Sequence, residues 1–184
     1  MRNVYLVGPM GSGKTTLGRR LAGKLGLEFH DSDHVIEERT GASINLIFDI
    51  EGEAGFRERE SKILEELAAM QGVLIATGGG AVLARRNRDL LKRTGIVVYL
   101  ETPVRQQLRR LRRDRSRPLL QTPDRAQKLE EMAAQRNPLY EEVADLVFPA
   151  RSGPIDRTIH SIYEALKNQQ SEPQDPPSPP PTRE

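Results

Sequence analysis

The architecture of this 184-residue chain follows from one segment near its start, Gly8-Pro9-Met10-Gly11-Ser12-Gly13-Lys14-Thr15. The segment matches the pattern G-x-x-x-x-G-K-[ST] in full. The apolar residues 4–7 before it predict a short buried strand, and leucines that recur every four residues from Leu17 to Leu25 predict an amphipathic helix after it. A glycine-rich loop between a strand and a helix is typical of proteins that bind the phosphates of a nucleotide.

The residue types in this loop fit an anion site. Its three glycines let the backbone curl, so that successive N–H groups can cradle phosphate oxygens. The positive end of the following helix favours the anion, and Lys14 adds a mobile positive charge for the β and γ phosphates. The hydroxyl of Thr15 is placed to bind Mg²⁺. A dinucleotide-binding loop is excluded, because Thr16 stands where its third glycine belongs.

Composition narrows the possible functions. The chain has no cysteine, which excludes disulfides, thiolate metal sites and cysteine nucleophiles, and which suits a reducing compartment. A formal net charge of +2 is too small to indicate nucleic-acid or membrane binding by itself. No stretch approaches the roughly 18 apolar residues of a membrane span, and no signal peptide is recognised at the start. We therefore expect a soluble, cytoplasmic protein.

Strand and helix patterns alternate along the chain. Short apolar runs predict five strands, at 4–7, 27–30, 73–76, 96–100 and 146–148. Between them lie helical patterns, and prolines at 103, 123 and 138 are each interpreted as the first residue of a helix. This alternation predicts an α/β sandwich with a mostly parallel sheet.

The domain is expected to cover residues 1–167. The remaining residues, 168–184, contain 6 of the 13 prolines and no large apolar side chain. Such a segment cannot bury enough surface to offset the entropy of ordering it, so we expect it to be disordered.

Two carboxylates follow the second predicted strand. If the chain stays extended, Asp31 and Asp33 share one face, at the edge of the sheet that also carries the phosphate loop. One could hold Mg²⁺ and the other could orient an acceptor hydroxyl and take its proton. Asp33 could instead cap the next helix. His30 and His34 fall on the opposite face, so a transition-metal site is not expected.

Two further segments point to a ligand. Three glycines at 78–80 follow the third strand, where they allow the backbone to approach a ligand closely. Seven arginines lie between Arg105 and Arg117. Without an aromatic residue among them they fit a lid over phosphates better than a nucleic-acid surface: a helix that ends near Arg113, then a loop carrying Arg115 and Arg117.

Six motifs follow one another along the chain: residues 8–16, Asp31-Ser32-Asp33, Gly55-Phe56-Arg57, Gly78-Gly79-Gly80, Arg117-Pro118-Leu119-Leu120 and Arg136-Asn137-Pro138-Leu139-Tyr140. In this order they resemble the shikimate kinase family, within the nucleoside-monophosphate-kinase-like branch of P-loop proteins, over residues 3 to about 167. The resemblance implies a P-loop NTPase sandwich with a five-stranded parallel sheet in the order 2-3-1-4-5. It also implies a substrate-binding region at about 32–60 and a lid at about 112–123.

The activity that the resemblance implies is the ATP- and Mg²⁺-dependent phosphorylation of the 3-hydroxyl of shikimate, on the route to chorismate and the aromatic amino acids. ATP would be bound by Gly11, Ser12, Gly13, Lys14, Thr15 and Thr16, with Arg110 stacking on adenine. The catalytic residues would be Lys14, Asp33 as the base, and Arg117 reaching the phosphates from the lid.

The resemblance also assigns the acceptor and metal contacts. Shikimate would be bound by Asp33, Arg57, Gly79 and Arg136, the two arginines holding its carboxylate. Mg²⁺ would be bound by Thr15, and the chemistry of the residues adds Asp31, through water, on the metal side. Asp31 matters more here because Thr77 replaces the aspartate that commonly follows the third strand in P-loop proteins. Some members contact adenine just before the last helix, where this chain has residues 151–154.

Two alternatives remain open from the sequence. One is another small-molecule P-loop kinase, such as a gluconate or nucleotide kinase. The other is a nucleotide-gated RNA-binding regulator that uses the arginines at 105–117. With shikimate as the partner, we expect a monomer that binds neither nucleic acid nor membrane.

Overall fold

A computed structural model describes residues 2–114, 116–149 and 154–171, with side chains through 169. Its five strands form one parallel sheet in the order β2-β3-β1-β4-β5. The strands are β1 (Asn3–Val7), β2 (Glu28–Asp31), β3 (Val73–Ala76), β4 (Gly95–Glu101) and β5 (Leu146–Pro149). The predicted fold and strand order are confirmed.

Helices cover both faces of the sheet, which explains why the central strands are continuously apolar. They are α1 (Lys14–Leu25), α2 (Ser32–Thr40), α3 (Ile44–Ala68), α4 (Arg85–Thr94), α5 (Val104–Leu111), α6 (Arg125–Val143) and α7 (Ile155–Ser171). Short 3₁₀ turns lie at Ala81–Leu83 and Pro118–Leu120. In the part of the chain that the structure describes, none of these helices has the length and apolar character of a membrane span.

Two apolar cores result, one on each face. On one face, α1 and α7 pack against β1 and β4 through aliphatic side chains: Leu17, Leu21, Ile159, Ile162 and Leu166. On the other, α3 and α6 contribute larger side chains, among them Phe56, Leu64 and Tyr140. The sheet is therefore held rigidly from both sides, and its strand ends form a fixed platform for a site.

A sharp bend divides α3. Gly52 adopts φ 72° and ψ 179°, a conformation that is essentially restricted to glycine. The bend separates the first turns of α3, which follow α2, from the turns that carry Arg57. The predicted substrate-binding region at 32–60 thus consists of α2 and both sides of this bend.

Several predicted boundaries are wrong. Helix α5 starts at Val104, so Pro103 is its cap and not its first residue, although its end at Leu111 is close to the predicted end near Arg113. Pro123 does not start a helix either, because α6 is capped by Asp124, whose side chain accepts from the N–H of Gln127. Pro138 lies inside α6, since this helix begins more than three turns earlier.

The boundary of the predicted tail is also wrong by one turn. Helix α7 continues to Ser171, so residues 168–171 are helical although disorder was expected from 168 onward. The buried residues Ile159 and Ile162 pack α7 against the sheet, and the helix continues beyond Ile162 to Ser171. The prolines of the tail all lie in 172–184, outside the described residues.

Candidate active site

A cleft of about 750 Å³ opens at the carboxyl ends of the central strands. Its walls are the loop after β1, the ends of β2 and β3, the bent helix α3 and the segment after α5. The site residues predicted from the sequence that line it are Gly11, Gly13, Lys14, Thr15, Thr16, Asp31, Asp33, Arg57, Gly79, Arg117 and Arg136. A parallel sheet places ligands at this edge, as expected.

The loop after β1 requires glycine at its first position. Gly8 has φ 144°, and a Cβ there would lie 2.7 Å from the carbonyl oxygen of Leu100 at the end of β4. Gly13, with φ 91°, occupies the cap position before α1 and offers no side chain to its N–H groups. The N–H groups at the start of α1 are therefore left for an anion, as the sequence predicts.

Lys14 lies folded across this loop. Its Nζ donates to the carbonyl oxygens of Gly8 and Pro9 at 2.8 and 2.9 Å, and to Oγ of Ser12 at 3.2 Å. Burial, and secondarily the charge of Arg117, lowers the pKa of Lys14 to about 8. Because burial disfavours the charged form of Lys14, a phosphate anion that approaches the ammonium group stabilises it.

Thr15 and Asp31 place two oxygen ligands side by side. Oγ1 of Thr15 donates to Oδ2 of Asp31 at 2.6 Å. The other oxygen, Oδ1, accepts from the backbone N–H groups of Asp33 and His34 and so caps α2. The cap is therefore Asp31, and the expectation that Asp33 might fill this role is wrong. Because the strand ends at Asp31, Asp33 already lies in the first turn of α2.

Asp33 points into the cleft and meets the segment after α5. Nη1 of Arg117 lies 3.2 Å from its Oδ2. Burial raises the pKa of Asp33, against the opposing effect of Arg117. Its Oδ1 is buried and has no hydrogen-bond partner among the described residues. A carboxylate with a raised pKa and one unused oxygen can accept a proton.

The glycines after β3 serve packing within the site. A Cβ at Gly78 would lie 2.3 Å from Oε1 of Glu60 and 2.8 Å from Oδ1 of Asp33. A Cβ at Gly80 would collide with the guanidinium of Arg57, 2.2 Å from its Nη2. These two glycines therefore let the site's own side chains come close to the backbone.

Arg57 is held by two carboxylates on its own helix. Nη1 contacts Oε2 of Glu60 at 2.7 Å, and Nη2 contacts Oε1 of Glu53 at 3.2 Å. Its guanidinium also lies over the ring of Phe56, 5.1 Å from the centroid. Phe56 is in contact with Phe48, so an aromatic wall adjoins the arginine.

Arg136 supplies the second guanidinium from the opposite wall. It is 4 % exposed, and its Nε has no hydrogen-bond partner among the described residues. Burial lowers the pKa of Arg136, and the nearby charge of Arg57 acts in the same direction. Two neighbouring guanidinium groups, one buried and one mostly buried, can bind a carboxylate.

Glu60 is a site residue that the sequence did not single out. Its carboxylate is fully buried between Arg57 and Gly78, and burial raises the pKa of Glu60 to about 6. Glu53, Glu58 and Glu60 all lie within four residues of Arg57 in the sequence, and each could pair with it. The i, i+3 spacing alone does not show that Glu60 faces the cleft.

Arg110, near the end of α5 and before the proposed lid, lies beside the phosphate loop. Nη1 of Arg110 donates to the carbonyl oxygen of Gly11 at 2.8 Å. Residues 112–123 contain the turn Pro118–Leu120 and Arg117, whereas Arg115 is outside the described residues. So are residues 151–153, the other segment considered for adenine contacts.

Comparisons with known proteins agree with this geometry. A family model described as shikimate kinase matches residues 10–167. A shikimate kinase from Actinobacillus succinogenes is 60 % identical over 168 residues, which cover 91 % of this chain and 96 % of that protein. One from Haemophilus influenzae strain PittEE is 53 % identical over 168 residues, which cover 91 % and 93 % of the two chains.

Solved structures resemble the fold as closely. The structure of shikimate kinase from Acinetobacter baumannii in complex with shikimate has a TM-score of 0.91 and 49 % identity, and the match covers 94 % of this chain and 96 % of that chain. Shikimate kinase from Bacteroides thetaiotaomicron has a TM-score of 0.83 and 36 % identity, with coverage of 90 % and 98 %.

Proposed function

The chain belongs to the shikimate kinase family, and we infer from this that it transfers the γ-phosphoryl group of ATP to the 3-hydroxyl of shikimate. The product is shikimate 3-phosphate, on the route to chorismate and the aromatic amino acids. The observation that carries this conclusion is the arrangement of the cleft. The phosphate loop lines the same cleft as the buried guanidinium of Arg136, the mostly buried guanidinium of Arg57 and the carboxylate of Asp33.

We propose that Arg57 and Arg136 bind the carboxylate of shikimate. Both guanidiniums line the cleft, and each is mostly buried, so a charged pair formed with them is only weakly screened by water. Gly79 would add backbone contacts, since it lies beside the phosphate loop and lines the same cleft. The ring of the substrate would pack against the aromatic wall of Phe48 and Phe56.

We propose Asp33 as the general base. The 3-hydroxyl oxygen attacks the γ phosphorus, the bond between that phosphorus and the bridging oxygen of ADP breaks, and Asp33 takes the hydroxyl proton. Its raised pKa and its unused buried oxygen support this role. Arg117 contacts the same carboxylate from the proposed lid.

We propose that residues 11–16, Arg110 and Arg117 bind the nucleotide. Lys14, Arg110 and Arg117 are its cationic contacts. Lys14 would exchange its carbonyl contacts for the β and γ phosphates. Arg117 would move from Asp33 to the transferring phosphoryl group as the lid closes, which adds positive charge and excludes water. The contact of Arg110 with Gly11 places it beside the same loop, and its stacking on adenine stays a prediction.

Thr15 and Asp31 fit a magnesium ion. They offer a hydroxyl and a carboxylate oxygen 2.6 Å apart at the start of α1, and Mg²⁺ prefers oxygen ligands. We propose that these two residues hold the ion, Asp31 through water. A bound Mg²⁺ supplies positive charge to the phosphates of the nucleotide.

We propose that the protein is a cytoplasmic monomer and that it binds no nucleic acid. The absence of cysteine suits a reducing compartment, and the net charge of +2 gives no general attraction to polyanions.

The test is ADP release measured with shikimate, gluconate and AMP as acceptors. In the presence of ATP, we expect ADP release with shikimate and none with gluconate or AMP. Turnover with gluconate or AMP but not with shikimate would identify another small-molecule kinase. Salt-sensitive RNA binding that disappears when the arginines at 105–117 are neutralised would favour the regulatory alternative.

A further inference from the structure

A buried tyrosine connects the two sides of the proposed shikimate site. Tyr140 follows Arg136 by one turn of α6, so the two side chains share a face of the helix. Tyr140 is completely buried, and its ring stacks on Tyr99 with centroids 5.1 Å apart and planes at 28°. This stacking leaves the ring little freedom and fixes the direction of its hydroxyl.

The phenol of Tyr140 lies between two polar groups of the site. It donates a hydrogen bond to the carbonyl oxygen of Gly79, and the charged guanidinium of Arg136 lies near enough to favour the ionised phenol. Burial raises the pKa of Tyr140, so the phenol keeps the proton that it donates. One oxygen atom thus bonds the loop after β3 and lies near a guanidinium on α6.

Gly79 lies where a rotation of its peptide group would change what the backbone presents to the cleft. A Cβ built on Gly79 would lie 3.5 Å from the backbone nitrogen of Met10, 3.6 Å from the carbonyl oxygen of Gly8 and 3.6 Å from the hydroxyl of Tyr140. Its backbone therefore lies between the phosphate loop and the tyrosine. Because a peptide group is planar, holding the carbonyl of residue 79 also fixes the direction of the next N–H.

We propose that Tyr140 is a positioning residue that holds the Gly79 peptide and the Arg136 guanidinium in the orientation that binds shikimate. The proposal rests on the proposed binding roles of Gly79 and Arg136. Without the hydroxyl, the part-buried carbonyl of Gly79 loses its hydrogen-bond donor and the peptide can rotate, while the guanidinium of Arg136 loses a neighbouring polar group. Among the described residues, the phosphate loop makes no hydrogen bond with this hydroxyl, so nucleotide binding should be unaffected.

The experiment compares Tyr140→Phe with two matched variants, Tyr5→Phe and Tyr99→Phe. The hydroxyl of Tyr5 is equally buried and bonds Oγ1 of Thr94 at 2.6 Å, before the start of β4 and away from the cleft. Tyr99→Phe removes a hydroxyl from the ring that stacks on Tyr140 and keeps the stacking. For each variant, the melting temperature and the KM values for shikimate and ATP are measured, and shikimate dissociation constants are obtained by calorimetry.

We expect Tyr140→Phe to raise the KM and dissociation constant of shikimate by about 5- to 30-fold, the usual effect of orphaning a buried hydrogen-bonding group. The KM for ATP should change by less than about twofold, and both control variants should keep wild-type KM values. Tyr5→Phe should nevertheless lower the melting temperature about as much as Tyr140→Phe, because it loses a comparable bond.

Other results would overturn the proposal. Unchanged shikimate binding in Tyr140→Phe, or equal losses for shikimate and ATP, would leave Tyr140 with a structural role only. So would a Tyr140→Phe protein that does not fold while Tyr5→Phe does. If wild-type protein failed to phosphorylate shikimate at all, the proposed function would fall instead, which the same assay shows separately.

Discussion

The guanidinium of Arg117 donates to the carboxylate of Asp33 at 3.2 Å, although 84 residues separate the two in the chain. The contact joins the segment after α5 to the first turn of α2 across the mouth of the cleft. Arg117 is 38 % exposed, so water reaches its side of the pair, whereas Asp33 is 23 % exposed and one of its carboxylate oxygens is buried. When Arg117 leaves, the Asp33 carboxylate therefore needs a new polar partner, which a substrate hydroxyl can supply.

Replacing Asp33 by asparagine removes the proposed base without changing the shape of the side chain. Turnover should fall by about 10²- to 10⁴-fold, the usual contribution of general base catalysis. The dissociation constant for ATP should stay within about threefold, because Asp33 is not proposed to bind the nucleotide. Single-turnover kinetics and nucleotide titration measure the two effects.

Asp49→Asn is the matched control for this substitution. It removes an equal charge from the exposed side of α3 in the substrate-binding region, where it should leave turnover unchanged. Near-normal turnover in Asp33→Asn would remove Asp33 from the mechanism.

Removing the side chain of Arg117 tests the proposed lid. Arg117→Ala should reduce kcat by about 10²- to 10³-fold, because a cation aimed at the transferring phosphoryl group is lost. The melting temperature should hardly change, since the lost ion pair is partly exposed. Arg112→Ala, five residues earlier and exposed, should leave both quantities unchanged. A full rate in Arg117→Ala, or an equal loss in Arg112→Ala, would contradict the proposed role.

The pKa of Lys14 predicts how nucleotide affinity depends on pH. In the free protein burial lowers this pKa to about 8, and bound phosphates should raise it again. ATP affinity should therefore be constant below pH 8 and weaken above it, by up to about tenfold for each further pH unit. Titration of a fluorescent ATP analogue between pH 6.5 and 9.5 measures the slope.

Lys14→Arg provides the control for this slope. A guanidinium stays charged over the whole range, so whatever its affinity at pH 7, the variant should show no decline above pH 8. A flat profile in the wild-type protein, or the same decline in Lys14→Arg, would show that another group controls nucleotide binding.

The features that the sequence predicted correctly are those set by local chemistry. The phosphate loop depends on glycines, a lysine and a threonine that are consecutive in the chain, and a strand and helix adjoin it directly. The same holds for the buried strands, whose apolar runs need no information about distant residues. Family resemblance added Arg57 and Arg136, which spacing alone could not distinguish from the other arginines.

The errors arose where distant residues decide the outcome. Pro138 reads as a helix start in isolation, yet α6 runs through it, because residues 125–137 already form helix and the buried face continues to Tyr140 and Val143. Glu60 was not distinguished from Glu58, because its burial depends on Gly78 from another part of the chain. The connection from Tyr140 to Gly79 has no local signal for the same reason.

The contrast between Glu60 and Glu58 gives the last prediction, on stability. Burial raises the pKa of Glu60 to about 6 from an ordinary value of 4.5, so the folded protein binds this proton more tightly than the unfolded chain does. Stability then falls as pH rises from 4.5 to 6, and Glu60→Gln should remove that part of the decline. In urea unfolding, the free energy of the wild type should fall relative to Glu60→Gln by about 2 kcal/mol across this range. For exposed Glu58 a hydrogen bond from Arg86 lowers the pKa, so its contribution is lost as pH falls and Glu58→Gln should show a small effect of opposite sign. Parallel stability curves for the wild type and Glu60→Gln would mean that the buried carboxylate is ionised at no cost, with Arg57 compensating its burial completely.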